Sequence, residues 1–91
     1  MIYKIIDRLD EKLINYNIPE MYLKSWEEGV CHIAVAVDDD EEIAGVAAFV
    51  IPYRNGKNLV LNFVNVDKKY RRLGVATNLI QKTLDILAVK A

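Results

Sequence analysis

Arg71-Arg72-Leu73-Gly74-Val75-Ala76 is the stretch whose residue types and spacing best suit chemistry, and that chemistry is the grip of a phosphate. Guanidinium forks match phosphate oxygens. A glycine without Cβ lets the backbone approach a ligand closely, and Ala76 keeps the next turn slim. If a helix begins here, its first N–H groups have no intrahelical partner and its dipole favours an anion. Other residues invite other chemistry. His32 is the single histidine, and its ordinary pKa lies near neutrality; a plain strand residue at the sheet margin is the competing interpretation. Asn62 can order a water or an acceptor, or merely sit on a half-exposed strand face. Cys31 has no His–Asp arrangement behind it and reads as a buried structural thiol. The acidic run at residues 38–42 lacks calcium-loop spacing and reads as a solvated turn, so no metal site is expected.

A strand must feed the basic turn and a helix must leave it. Residues 59–66 are apolar and β-rich, and four residues separate Val66 from Arg71. After the turn, Leu73, Ala76, Leu79, Ile80, Thr83, Leu84, Leu87 and Ala88 fall on one helical stripe that predicts packing against a sheet. Two more strands precede these. Residues 31–37 alternate Ile33, Val35 and Val37 with smaller residues, and residues 43–53 form a long strand in which Gly45 marks a bulge. Asn55-Gly56 signals a hairpin into the motif-bearing strand, which completes a three-stranded antiparallel meander. At the N-terminus, Ile2, Ile5, Ile6, Leu9, Leu13 and Tyr16 follow helical spacing, although residues 2–6 alone would also suit a short strand. The longer period predicts a helix. Asn17 and Pro19 break it, and a second helix spans about residues 19–28, closed by Gly29.

Ninety-one residues suit one small domain, spanning residues 1–91, of α+β class. The net charge of -1 and scattered basic residues argue against wrapping a nucleic acid. One cysteine excludes an intrachain disulfide and fits a reducing compartment. Charges at Lys4, Asp7, Arg8 and Asp10 interrupt any leader-like run, and no stretch has membrane-spanning length. A cytoplasmic protein is expected.

The turn fits the pattern Arg/Gln-x-x-Gly-x-Gly/Ala. With its preceding strand and following helix, the chain resembles the GNAT superfamily of acetyl-CoA-dependent N-acetyltransferases from about Trp26 onward. The resemblance implies a truncated GNAT-like fold: two N-terminal helices, the meander, and the helix that follows the pyrophosphate-binding turn. It implies that acetyl-CoA lays its pantetheine arm along Val64, Asn65 and Val66, as a form of strand addition. The pyrophosphate would rest on the amides of Arg71, Arg72, Leu73, Gly74, Val75 and Ala76, with Thr77 adding a hydroxyl. The family's first two helices line the acceptor cleft, which makes Tyr22 and Trp26 substrate-binding candidates. Glu27 and Glu28 would draw in a cationic amine; a core-facing aromatic pair with solvated acids is the plainer alternative.

Several family features have no counterpart in this pattern. Members continue into a fifth strand, and this chain ends at Ala91; the family's opening strand is not evident either. Many members carry a Glu as general base early in the motif strand, where Val60 stands here. No general acid or base is therefore assigned, and Asn62 and His32 remain the candidates. An open apolar edge on the motif strand predicts a homodimer or dependence on a further segment. Three functions follow: an acetyltransferase acting on an amine, a non-catalytic CoA-binding or regulatory module, or an unrelated α+β interaction domain.

Overall fold

The computed structural model describes residues 1–50 and 60–90, with side chains described to residue 87. Four antiparallel strands lie in sequence order: β1 (Ile2–Ile5), β2 (Cys31–Val37), β3 (Ile43–Val50) and β4 (Val60–Val66). Two helices, α1 (Glu11–Ile14) and α2 (Glu20–Glu27), connect β1 to β2, and α3 (Val75–Lys90) follows β4. The α+β architecture with α3 on the sheet matches the expectation, with one more strand.

That strand corrects the N-terminal expectation. Residues 2–5 pair with β2, from Ile2 opposite Val37 to Ile5 opposite Ala34. A ladder to a distant strand outweighs a local helical period, which is a weak prior against tertiary pairing. Helix begins only at Glu11, where the Asp10 carboxylate accepts from the Leu13 N–H at 2.9 Å. The opening strand that was not evident in the sequence is therefore present. Ile6, Leu9, Leu13 and Tyr16 still reach the core, since either conformation buries them against the same sheet face.

The sheet sorts its side chains by size. Ile33, Val35, Val46 and Ala48 face α1 and α2, where Leu13, Ile18, Leu23 and Trp26 cover them. Ala34, Ala36, Ala44, Ala47 and Phe49 face α3, where Val75 and Leu79 cover them. Small residues on that side let a helix backbone lie close. At Gly45, an added Cβ would sit 3.3 Å from both the Asn65 carbonyl oxygen and Val66 Cγ2, and 3.6 Å from Val75 Cγ1. The expected bulge is adjacent: β2 and β3 change register between Ala36 and Val37, leaving Ala44 as the extra residue. The expected stripe of α3 needs two corrections. Leu73 is 67% exposed because it precedes the helix, in the turn, and Leu84 stays exposed beside buried Thr83. Residues 51–53, Asn55-Gly56 and Leu59 lie outside the described residues.

Candidate functional site

The turn between β4 and α3 is built as its composition suggests. The Gly74 carbonyl accepts the first α3 bond, from the Asn78 N–H at 2.9 Å. The N–H groups of Val75, Ala76 and Thr77 therefore have no intrahelical acceptor, at the positive end of a sixteen-residue helix. Gly74 has φ +76°, and the nearest neighbour of an added Cβ would be Asn78 Nδ2 at 3.8 Å. Glycine is needed there for conformation and not for space. Arg72 shares the left-handed region at φ +69°, an uncommon place for a side chain with Cβ. Val75 is buried against the sheet and pins the helix start, while Arg71, Arg72, Leu73, Gly74 and Thr77 face solvent.

Charge and hydrogen bonding organise the approach to this turn. Arg71 donates from Nε to the Val66 carbonyl at 3.1 Å, which folds its guanidinium back along the end of β4. Residues Lys68–Tyr70 form a 3-10 turn, capped by Asp67. The Tyr70 hydroxyl donates to the Asp38 carboxylate of the β2–β3 turn, and Lys69 Nζ lies 5.2 Å from the Tyr70 ring centre. That hydrogen bond holds the Asp38 carboxyl below its ordinary value. It also pushes the Tyr70 phenol up to about 12, with burial adding to the shift. The Tyr70 O–H is given to Asp38 and is not directed at the β4 edge. Sequence patterning gave no sign of the Tyr70–Asp38 contact, because 32 residues separate the partners.

Strand β4 forms an edge of the sheet among the described residues. The Asp67 N–H points inward, to the Ala44 carbonyl at 2.8 Å, and the Asn65 carbonyl lies against Gly45. Backbone direction alternates along a strand, so Val64 and Val66 turn their N–H and C=O groups to the open side, where the Val66 carbonyl already accepts from Arg71. Asn65 gives its backbone to β3. A second register change lies between Ala48 and Phe49, which pair with Phe63 and Leu61 and leave Asn62 as the extra residue of β4. A bulge frees local backbone groups. The Tyr22 hydroxyl meets the Asn62 carbonyl at 3.3 Å, and the Tyr22 and Phe63 rings are centred 5.4 Å apart. Helix α2 thus brings Tyr22 to the middle of β4. Trp26, like the Tyr22 ring, packs half-buried against the α1/α2-side core.

His32 is not brought to this edge. It stands on β2 opposite Phe49, two strands from β4 or about 10 Å across the sheet. Cys31 is 3% exposed, and burial pushes its thiol up, which leaves it unreactive. Among the described residues no group of three or more His, Cys, Asp or Glu is placed to hold a metal ion. No helix among them is long and apolar enough to cross a membrane. A separate cleft of about 720 Å³ lies at the opposite side of the sheet, between β1, α1 and the β2–β3 turn, and includes no residue of β4 or α3.

The sequence model of the acetyltransferase (GNAT) family matches residues 2–90. Among solved structures, the chain is similar to the aminoglycoside antibiotic 6'-N-acetyltransferase AAC(6')-Ih from Acinetobacter baumannii. The two are 19% identical with a TM-score of 0.54, over 89% of this chain and 68% of that one. At that identity the likeness speaks for the fold. No curated protein matches the chain significantly.

Proposed function

Since the chain belongs to the GNAT family of acetyltransferases, we propose that it takes acetyl-CoA as acyl donor and passes the acetyl group directly to an amine. One observation carries the cofactor half of this reading. An open strand edge leads, through the 3-10 turn and left-handed Gly74, to a helix N-terminus whose amides have no intrahelical acceptor. The Arg71 N–H already donates to the Lys68 carbonyl at 3.3 Å, so the amides of residues 72–76 and the Thr77 hydroxyl would donate to the oxygens of a bound pyrophosphate, and the exposed Arg72 side chain would offset its charge. Val64 and Val66 would pair with the pantetheine arm from the edge, with Asn65 holding the strand to β3 behind them. The rise from Val66 back to Asn62 is about 13 Å, which carries the arm toward the bulge beneath Tyr22.

Acetyl-CoA, when bound, would supply a thioester as acyl donor, its acetyl group passing to the amine nitrogen and its sulfur leaving as the thiol with the proton that the nitrogen loses. In this chain the exposed Asn62 side chain and the Tyr22 hydroxyl border that region, and exposed Glu27 and Glu28 at the end of α2 would favour a cationic acceptor. The acceptor is an amine of unspecified class. The lone buried thiol of Cys31 suits a cytoplasmic setting.

A second reading, a CoA-binding module without turnover, is favoured by Val60, which is exposed where many members carry a Glu. A homodimer through β4 would use the same backbone groups as the pantetheine arm, so the two would exclude each other. Calorimetric titration with acetyl-CoA tests the shared premise. Wild-type protein is expected to bind and Gly74→Glu to fail, because the carboxylate would stand where the phosphates lie; equal binding by both would remove the proposal. Release of free thiol on adding a panel of amines then separates enzyme from module.

A further inference from the structure

Beyond the groups that would touch the cofactor, we propose that Asp38 and Tyr70 form a latch that holds the pyrophosphate-binding turn in its binding shape, Asp38 being a positioning residue. The inference rests on the acetyl-CoA reading for its functional part and on geometry alone for its structural part. Asp38 divides its carboxylate between two tasks. Its Oδ1 accepts from the N–H groups of Asp40 at 2.9 Å and Glu42 at 3.0 Å, which ties off the β2–β3 turn. Its Oδ2 receives the Tyr70 hydroxyl. The turn so tied is a fixed post. Asp38 N–H donates to the Glu42 carbonyl at 2.9 Å, Glu41 N–H to the Asp38 carbonyl at 3.0 Å, and Lys12 Nζ to the Glu41 carbonyl at 2.9 Å.

Tyr70 is the last residue before the cradle. Its ring packs half-buried in the α3-side core, and its N–H donates to the Asp67 carbonyl at 2.9 Å. Beyond it, Arg71 and Arg72 are exposed and Arg72 occupies a left-handed conformation that local sequence does not favour. The segment from Arg71 to Gly74 is held at its far end by buried Val75. The latch holds its near end, together with the Arg71 bonds to the Val66 and Lys68 carbonyls. Preorganisation of this kind raises affinity by lowering the ordering cost of binding. The acidic residues on the post make direct contact with a phosphate unfavourable, so Asp38 acts through Tyr70 and not on the ligand.

The test compares wild type, Tyr70→Phe, Asp38→Asn and the double variant by amide hydrogen exchange without ligand and by acetyl-CoA calorimetry. Tyr70→Phe keeps the packed ring and removes only the hydroxyl. The latch predicts that its loss speeds exchange at residues 71–77 more than in α2 and β2 and lowers acetyl-CoA affinity by about tenfold. It also predicts that the second substitution adds less than about twofold to the first, as expected for one shared bond. Exchange that rises equally across α2 and β2, or affinity unchanged by Tyr70→Phe, or fully additive losses, would overturn it. If wild type binds no acetyl-CoA, the functional half falls, and the exchange comparison alone decides whether the latch shapes the turn.

Discussion

Replacing Gly74 by alanine separates backbone conformation from steric space at the cradle, and Gly29 provides a matched control. Gly74 has φ +76° and Gly29, at the end of α2, has φ +79°. An added Cβ meets nothing within 4 Å at Gly29, and nothing nearer than 3.8 Å at Gly74. Both alanines therefore incur the left-handed strain of an L residue, about 1–2 kcal/mol, with no clash to add. In a domain of this size each ~1 kcal/mol lowers Tm by roughly 4–8 °C, so thermal unfolding should show similar drops for the two variants. Ligand binding should not follow stability. Gly74→Ala can relieve its strain only by rotating the amides that follow, and acetyl-CoA affinity should fall by about tenfold, the equivalent of ~1.4 kcal/mol. Gly29→Ala should bind acetyl-CoA as wild type does. Calorimetry on both variants checks this. Equal affinity loss in the two, or none in Gly74→Ala despite the drop in Tm, would refute the claim that left-handed Gly74 shapes a ligand site.

Leu79 is fully buried between α3 and the sheet, so Leu79→Ala should destabilise by about 2–5 kcal/mol in urea unfolding. The Asp38–Tyr70 bond gives stability a bounded pH window. Asp38 is held below its ordinary value by the Tyr70 hydroxyl, so its contribution is present above the unfolded carboxylate pKa and is lost as pH falls through the lowered folded value. Tyr70 is pushed from 10.0 up to about 12, so its contribution is complete below the unfolded value and is lost as pH rises through the folded one. Unfolding midpoints of wild type and Tyr70→Phe should therefore differ most between these limits and converge outside them. The exposed edge of β4, with Val60 49% and Val64 40% exposed, predicts concentration-dependent self-association in sedimentation experiments. Saturating acetyl-CoA should dissolve it, and dimers unaffected by cofactor would show that the two use different surfaces.

The legible parts of this chain are those whose signals are local. Strand β2 occupies residues 31–37 as its alternation indicates, and the size difference between Ile33 or Val35 and Ala34 or Ala36 decides which helix covers each face. The strand–turn–helix around Gly74 was legible because glycine, the basic pair and the helical period coincide within a few residues. Pairing across long separations was not legible. Residues 2–5 carry both a helical and a strand period, and only the ladder to β2 decides between them. The bulge at Asn62 has no residue signature, since it arises from register with β3. The Tyr70–Asp38 bond depends on two turns meeting at one end of the sheet. Leu73 fits the helical spacing yet lies outside the buried stripe, because the helix starts only at Val75, after left-handed Gly74, which hydrophobic spacing does not register.

The most direct test of a cofactor held by β4 and the α3 N-terminus is residue-level amide perturbation on adding acetyl-CoA, by two-dimensional NMR of 15N-labelled protein. The account predicts the largest shifts at the outward-facing amides of Val64 and Val66 and at Val75, Ala76 and Thr77, with little change at His32 and the rest of β2. Shifts concentrated in the cleft between β1, α1 and the β2–β3 turn, with residues 64–77 unmoved, would contradict it.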